Sequence, residues 1–369
     1  MFGHDHYVPI LKGKGGEFAA LGWLTSSVAE ALTPLVEFVE PPFDYKAQAN
    51  TKTLDKHLSD DAGRLIAGWT GGGRVFLDTI WIDSDALADG KHHLEYLFDE
   101  CRGKIAAVPV GGLTRGQEHE AAIAAIHGED EVGAVLRLDA EDLEELGVPL
   151  ETAVDAWLEV VGITAAECDL VVDLGALPPG ARGTMRLFAR TMLPALPRVG
   201  EWRTLTIASS AFPDSLTNLA TDTEHFVARD DFLLWQSVIG AALPRLPSLG
   251  DYAITDPTIL RGPMRAGAAA IRYTLDDLWM IVKRQSLSAT PGYGQFNDAS
   301  AILAARSEFM GAEHCKGCEF IASCGAGGPR GNQTTWRTVG TCHHLTKTTQ
   351  QLASLGGTAV PSAPPPATP

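Results

Sequence analysis

Residues 132–162 read VGAVLRLDAEDLEELGVPLETAVDAWLEVVG. Eight mostly apolar residues, broken by Arg137, give way to a stretch whose apolar positions recur every three or four residues. The first part reads as a strand buried on both faces and the second as an amphipathic helix. Such a strand belongs in a parallel sheet covered by helices. Strand-length runs of the same kind stand on either side: YVPIL (7–11), PLVEFVE (34–40), RVFLDTIWID (74–83), KIAAVPV (104–110), DLVVDLG (169–175), RTLTIASS (203–210) and DYAITD (251–256). Most are followed by helical periodicity. Eight strands alternating with helices predict a (β/α)8 TIM-like barrel over residues 7–260. An open doubly wound sheet has the same alternation and is the rival reading.

Past the eighth strand the pattern changes. AGAAAIRYT (266–274) and LWMIVKRQ (278–285) flank LDD and predict an antiparallel hairpin. With the helical stretch DASAILAARSEFM (298–310), it forms a segment 261–311 appended to the barrel. Residues 312–346 form a Cys-rich segment. Residues 356–369, GGTAVPSAPPPATP, have nothing to bury and predict a disordered tail. Residues 1–6 are expected to be a mobile N-terminus, so His4 and His6 would lie at the amino end of the barrel, away from chemistry.

The chain has 29 Lys plus Arg against 46 Asp plus Glu, a net charge of −17. That argues against nonspecific nucleic-acid binding and against attraction to anionic membranes. No apolar run reaches the roughly 18 residues of a membrane span, and the N-terminus lacks signal architecture, so a cytoplasmic location is expected.

Chemistry in parallel α/β folds gathers at the carboxyl ends of strands. Charges there interrupt otherwise apolar runs: Glu37, Asp78, Arg137 and Asp173, with Lys12 at the end of the first. A buried unpaired charge costs several kcal/mol, so these either pair or serve a site. As a site they would be catalytic, the carboxylates holding Mg2+ or acting as acid and base and Arg137 stabilising developing charge. As a structure they would be a self-satisfied network filling the barrel top. The loop LKGKGG (11–16) offers Lys12, Gly13, Lys14 and Gly15 to an anion. It lacks the Walker A pattern, and its bland reading is a turn with solvated lysines. Arg272 and Tyr273, opposite Lys283 and Arg284, would form a small basic patch, with Arg272 a candidate for binding substrate; the bland reading is a solvated hairpin face. His92 and His93 read as surface residues.

HCKGCEFIASCGAGG (314–328) is the sharpest local signal. Cys315 and Cys318 have the C-x2-C spacing that places two thiolates on one turn for tetrahedral zinc. Cys324 and Cys342 complete a four-cysteine set, with His314, His343 or His344 as substitutes. The spacing also suits an iron–sulfur cluster, and it resembles the cysteine runs of some radical-SAM auxiliary domains. A fully ligated site would be structural.

YVPILKGKGGEFAAL, then LTPLVEFVEPP, the hairpin AAAIRYT and the segment from Trp336 to His344 together resemble the beta protein family of bacteria and phages. The resemblance implies a barrel-like α/β fold and a setting near phage-defence genes, without an established activity. It marks Lys12, Lys14, Glu17, Glu37, Arg272, His343 and His344 as family features, with no assigned roles. The expectation is a barrel enzyme, a metal-dependent phosphoester hydrolase, for a phosphate-bearing substrate such as a nucleotide or nucleic-acid end in phage–bacterium conflict, with a partner protein encoded nearby. The alternative is a non-catalytic recognition protein with a structural zinc site.

Overall fold

The computed structural model describes residues 2–83, 87, 90–144, 147–259 and 267–356. The expected tail therefore lies outside the described residues from 357 onward. Seven barrel strands come first, β1 (Tyr7–Lys12), β2 (Leu35–Val39), β3 (Arg74–Trp81), β4 (Ala106–Gly111), β5 (Ala134–Leu138), β6 (Cys168–Ala176) and β7 (Thr204–Ser210), with a small two-stranded sheet, Phe43–Asp44 and Ala49–Asn50, between β2 and β3. Then come β8 (Thr223–Ala228) and β9 (Ser248–Asp251). β1 to β7 and β9 pair in parallel, each with its chain neighbour, and β9 returns to β1 to close an eight-stranded barrel. The open-sheet reading is thereby set aside.

Strand alternation sorts the side chains. Val8, Ile10, Leu35, Phe76, Val108, Val110, Val135 and Val171 fill the barrel interior, while Tyr7, Leu11, Val36, Leu77 and Val172 face the helices. Lys12, Glu37, Asp78, Arg137 and Asp173 each stand two residues beyond an inward apolar residue. They therefore point inward and form the next layer toward the carboxyl end. The amino end is closed by a different ion cluster. There Asp169 accepts from Arg203 at 2.8 Å and Thr204 at 2.7 Å, and Arg74 lies 3.4 Å away. At the N-terminus Phe2 stacks on His6, whose ring reaches the Thr33 hydroxyl at 2.9 Å.

The appended hairpin is β10 (Ala268–Thr274) and β11 (Leu278–Ser286), and it forms a three-stranded sheet in the order β8-β11-β10. One face packs on a second core with Phe296, Leu303, Ile321, Trp336 and Val339. The other face, with Trp279 and Ile281, packs on Phe212 and Ile254 over the barrel. The C-terminal part is helical: Gln295–Ala304, a cysteine helix Lys316–Gly325 and a terminal helix Gln333–Gly356. The terminal helix starts on the appended core at Trp336 and ends on the barrel's outer core at Leu345 and Leu352.

Candidate functional site

The five interrupting charges do converge. Arg137 Nη1 lies 2.7 Å from Asp78 Oδ2, and Nη2 lies 2.6 Å from Asp173 Oδ2 and 2.8 Å from Glu37 Oε1. Lys12 pairs with Glu37 and donates to the Pro257 carbonyl. Arg115, from the loop after β4, binds both oxygens of Asp78 at 2.5 and 3.1 Å. Tyr252 donates to Asp173 at 2.5 Å, and Trp81 Nε1 donates to Glu37 at 3.0 Å. Three cations thus face three carboxylates, and Lys12, Glu37, Asp78, Arg137 and Asp173 are each at most 5% exposed. Burial pushes the Asp78 carboxyl up, but Arg115 and Arg137 outweigh it and hold the group at about 2. This is the geometry of a paired ion network, in which Glu37 Oε1 meets Arg137 as a charge without a hydrogen bond. The carboxylates expected to hold Mg2+ are all engaged by arginine or lysine.

The opening lies beside it. A cleft of about 520 Å3 runs between the β1 loop, the appended sheet and the start of the terminal helix, with Lys14, Gly15, Arg272, Thr334 and Arg337 in its lining. Arg272 Nη1 donates to the Ile254 carbonyl at 3.0 Å, and its guanidinium lies over the Phe212 ring. Burial and then the Arg337 charge push the Arg272 guanidinium down, with Glu17 opposing. Glu17 itself is buried, and burial pushes its carboxyl up against the pull of Arg337, Lys14 and Lys12. Glu17 Oε2 and Arg337 Nη1 are both buried without a hydrogen-bond partner. Lys283 also lines the cleft, but its ammonium is tied to the Leu216 and Leu219 carbonyls at 2.7 and 2.6 Å.

The glycines of LKGKGG serve mainly as packing surfaces. A Cβ on Gly13 would stand 3.0 Å from the Glu37 carbonyl, and one on Gly16 would stand 2.7 Å from Arg337 Cγ. A Cβ on Gly15 would meet only Thr334 Cγ2, at 4.0 Å, an ordinary contact.

At the far end, His314, Cys315 and His343 bring ligand atoms within 4.8 Å of one another and could hold a metal ion. Cys318 joins them, its Sγ 3.3 Å from His343 Nδ1, and its backbone N–H donates to Cys315 Sγ at 3.4 Å. Cys342 hydrogen-bonds Cys315 as well, and with Cys318 it holds the Cys315 thiol far below its ordinary value. The expected fourth cysteine is elsewhere. Cys324 sits six residues past Cys318 on one helix, about 240° round it, and faces Asn297 of the neighbouring helix at 3.6 Å. His344 turns the other way, to Asp251 and the Tyr7 hydroxyl, each at 3.0 Å.

His92 and His93, expected on the surface, line a cavity of about 420 Å3 with Thr79, Arg115 and His119. Arg115, Trp81 and Tyr252 in the network, and Arg337 in the cleft, had no signal in the sequence reading. Arg115 and Tyr252 come from loops, Trp81 from the last position of β3, and Arg337 from a helix far along the chain. For the metal group, the C-x2-C pair, His314 and the run Cys342–His344 were the available signals.

Fold and site define an α/β barrel with an appended sheet, a cationic cleft at its carboxyl face and a metal-competent Cys–His cluster. The chain belongs to the Beta protein family, whose profile matches residues 7–350. No curated protein matches it in sequence. Among solved structures it is similar to triosephosphate isomerase from Bartonella henselae at 13% identity and a TM-score of 0.33, over 68% of this chain and 94% of that one. Among the described residues no helix is long and apolar enough to cross a membrane.

Proposed function

We propose that this protein binds a phosphate-bearing ligand, a nucleotide or a nucleic-acid end, in the cleft formed by Lys14, Arg272 and Arg337. The observation that carries the reading is the crowding of these cations in one cavity of a chain whose net charge is −17. Burial and then the Arg337 charge push Arg272 down, and Lys14 is pushed down by burial with Arg337 adding to it; an anion among them relieves this, and guanidinium forks match phosphate oxygens in pairs. The start of the long terminal helix adds its N-terminal dipole at Gln333 and Thr334. Gly15 leaves room for close approach.

In this reading Glu37, Asp78, Arg137 and Asp173 stiffen the barrel mouth beneath the ligand rather than react with it. Recognition without catalysis follows most directly. Hydrolysis is the second reading, favoured by Glu17, a buried carboxyl pushed toward its protonated form beside Arg337. A barrel by itself assigns no chemistry. The metal of the Cys–His cluster is zinc in this proposal, with an iron–sulfur cluster as the rival, and it plays a structural part. Phage–bacterium conflict is the setting suggested by the family, and the partner encoded nearby remains part of the same proposal.

The test is a panel of nucleotides and 5′-phosphorylated oligonucleotides, followed by thermal shift and by phosphate release with and without Mg2+. Stabilisation by phosphorylated compounds but not by their dephosphorylated forms supports the site. Turnover abolished by Glu17→Gln would select hydrolysis. Stabilisation without turnover would select recognition, and indifference to phosphate would sink both.

A further inference from the structure

The cysteine segment was legible as a four-cysteine site, but the fold gathers a different set. We propose that Cys315, Cys318, Cys342 and His343 form a zinc site of three thiolates and one imidazole that clamps the terminal helix to the appended sheet and the barrel.

The ligand set follows from four observations. First, Cys315 and Cys318 share the first turn of the cysteine helix, and the Cys318 N–H···Sγ contact at 3.4 Å orients the Cys315 sulfur. Second, His343 Nε2 lies 2.8 Å from the Thr274 carbonyl, which fixes the N–H on that side and leaves the Nδ1 lone pair toward Cys318 and Cys315 at 3.3 and 3.9 Å. A metal-ligating imidazole is oriented in this way by a second partner. Its ring is stacked on Tyr273 at 3.8 Å, which holds its plane. Third, Cys324 faces the helix Gln295–Ala304, so three thiols gather instead of four. An iron–sulfur cluster held by four cysteines lacks its fourth thiolate here, whereas three thiolates and one imidazole suit tetrahedral zinc. Fourth, two ligands come from each of two helices that touch backbone to backbone: a Cβ on Gly317 would stand 2.5 Å from the Val339 carbonyl. An ion bound there bridges the helices.

The clamp reaches further because the next residue, His344, is bonded to Asp251 of β9 and Tyr7 of β1. One helical step therefore links the metal ligands to the barrel wall. His314 also brings a ligand atom within 4.8 Å of those of Cys315 and His343; three thiolates and the His343 imidazole already fill four positions, and His314→Ala tests that choice.

The experiment is elemental analysis of the full chain, cobalt substitution, and hydrogen exchange of residues 333–356. The expected result is one zinc per chain, a cobalt spectrum with thiolate charge transfer, and the same content and spectrum in Cys324→Ser and His314→Ala. Zinc removal should speed exchange across the terminal helix. Cys342→Ser should lose the metal, but since that variant can fail to fold, the deciding arms are the parent chain and Cys324→Ser. Loss of metal or a changed cobalt spectrum in Cys324→Ser, iron with sulfide in the parent, failure to take up zinc, or exchange indifferent to the metal would each overturn the proposal. None of these arms depends on whether the cleft binds phosphate.

Discussion

Arg137 spends its guanidinium on Glu37, Asp78, Asp173 and Tyr252, all inside the barrel mouth. Breaking a buried network by removing one partner typically costs about 3–5 kcal/mol, because charges are left behind without compensation. Arg137→Met should therefore lower urea-unfolding stability by about that much, and a loss under about 1 kcal/mol would deny the network its keystone. Asp231 offers a second test. Burial, with Asp251 beside it, pushes its carboxyl from 3.8 to about 7. Between those values the folded chain holds a proton that the unfolded chain has released, so this group makes stability fall as pH rises from about 4 to 7. His6, His93 and His119 are pushed down by burial and act in the opposite sense at acid pH, so the informative quantity is a difference. The stability of Asp231→Asn relative to the parent should rise from about pH 4 to pH 7, and a flat difference would contradict the shift. The inward charges were legible at this scale because they fall at period two in apolar runs. Arg115 and Tyr252 were not, since nothing local says that a loop arginine turns back into the barrel.

Among elements, the terminal helix ties the described parts together. Its Thr338 hydroxyl donates to the Gly16 carbonyl at 2.9 Å, and Gly16 lies against the Arg337 stem. Gly16→Ala should cost about 1–3 kcal/mol by overpacking this contact and should displace Arg337, while Gly15→Ala, whose Cβ would touch only Thr334 at 4.0 Å, should stay within about 0.5 kcal/mol. Equal thermal denaturation of the two variants would show that the contact is slack. Element-level reading recovered all eight barrel strands and the hairpin, because burial on both faces leaves a continuous apolar run. It missed β8, TEHFVA (223–228), whose burial is partial and whose partner, β11, begins fifty residues later. It also took the C-x2-C-x5-C run as one ligand array. The run folds as a helix, and helical rotation carries Cys324 away from its neighbours.

For the whole molecule, the contrast that matters is between an acidic surface and one basic cleft. A net charge of −17 repels polyanions at a distance, so binding has to be local, oriented and sensitive to salt. The fold places both polar features at the carboxyl face of the barrel, one closed and neutralised, the other open and cationic. Which of them is the site could not be read in sequence, because the same residue types serve both, and only the pairing distances separate them. The most direct test is calorimetric titration of a nucleoside triphosphate into the parent chain and into Arg272→Gln/Arg337→Gln, at two salt concentrations. Losing two charged hydrogen-bonding groups, each worth about 1.5–3 kcal/mol, should weaken binding at least about a hundredfold and flatten its salt dependence. Binding of equal strength in parent and double variant would contradict the cleft, and with it the account of what this barrel is for.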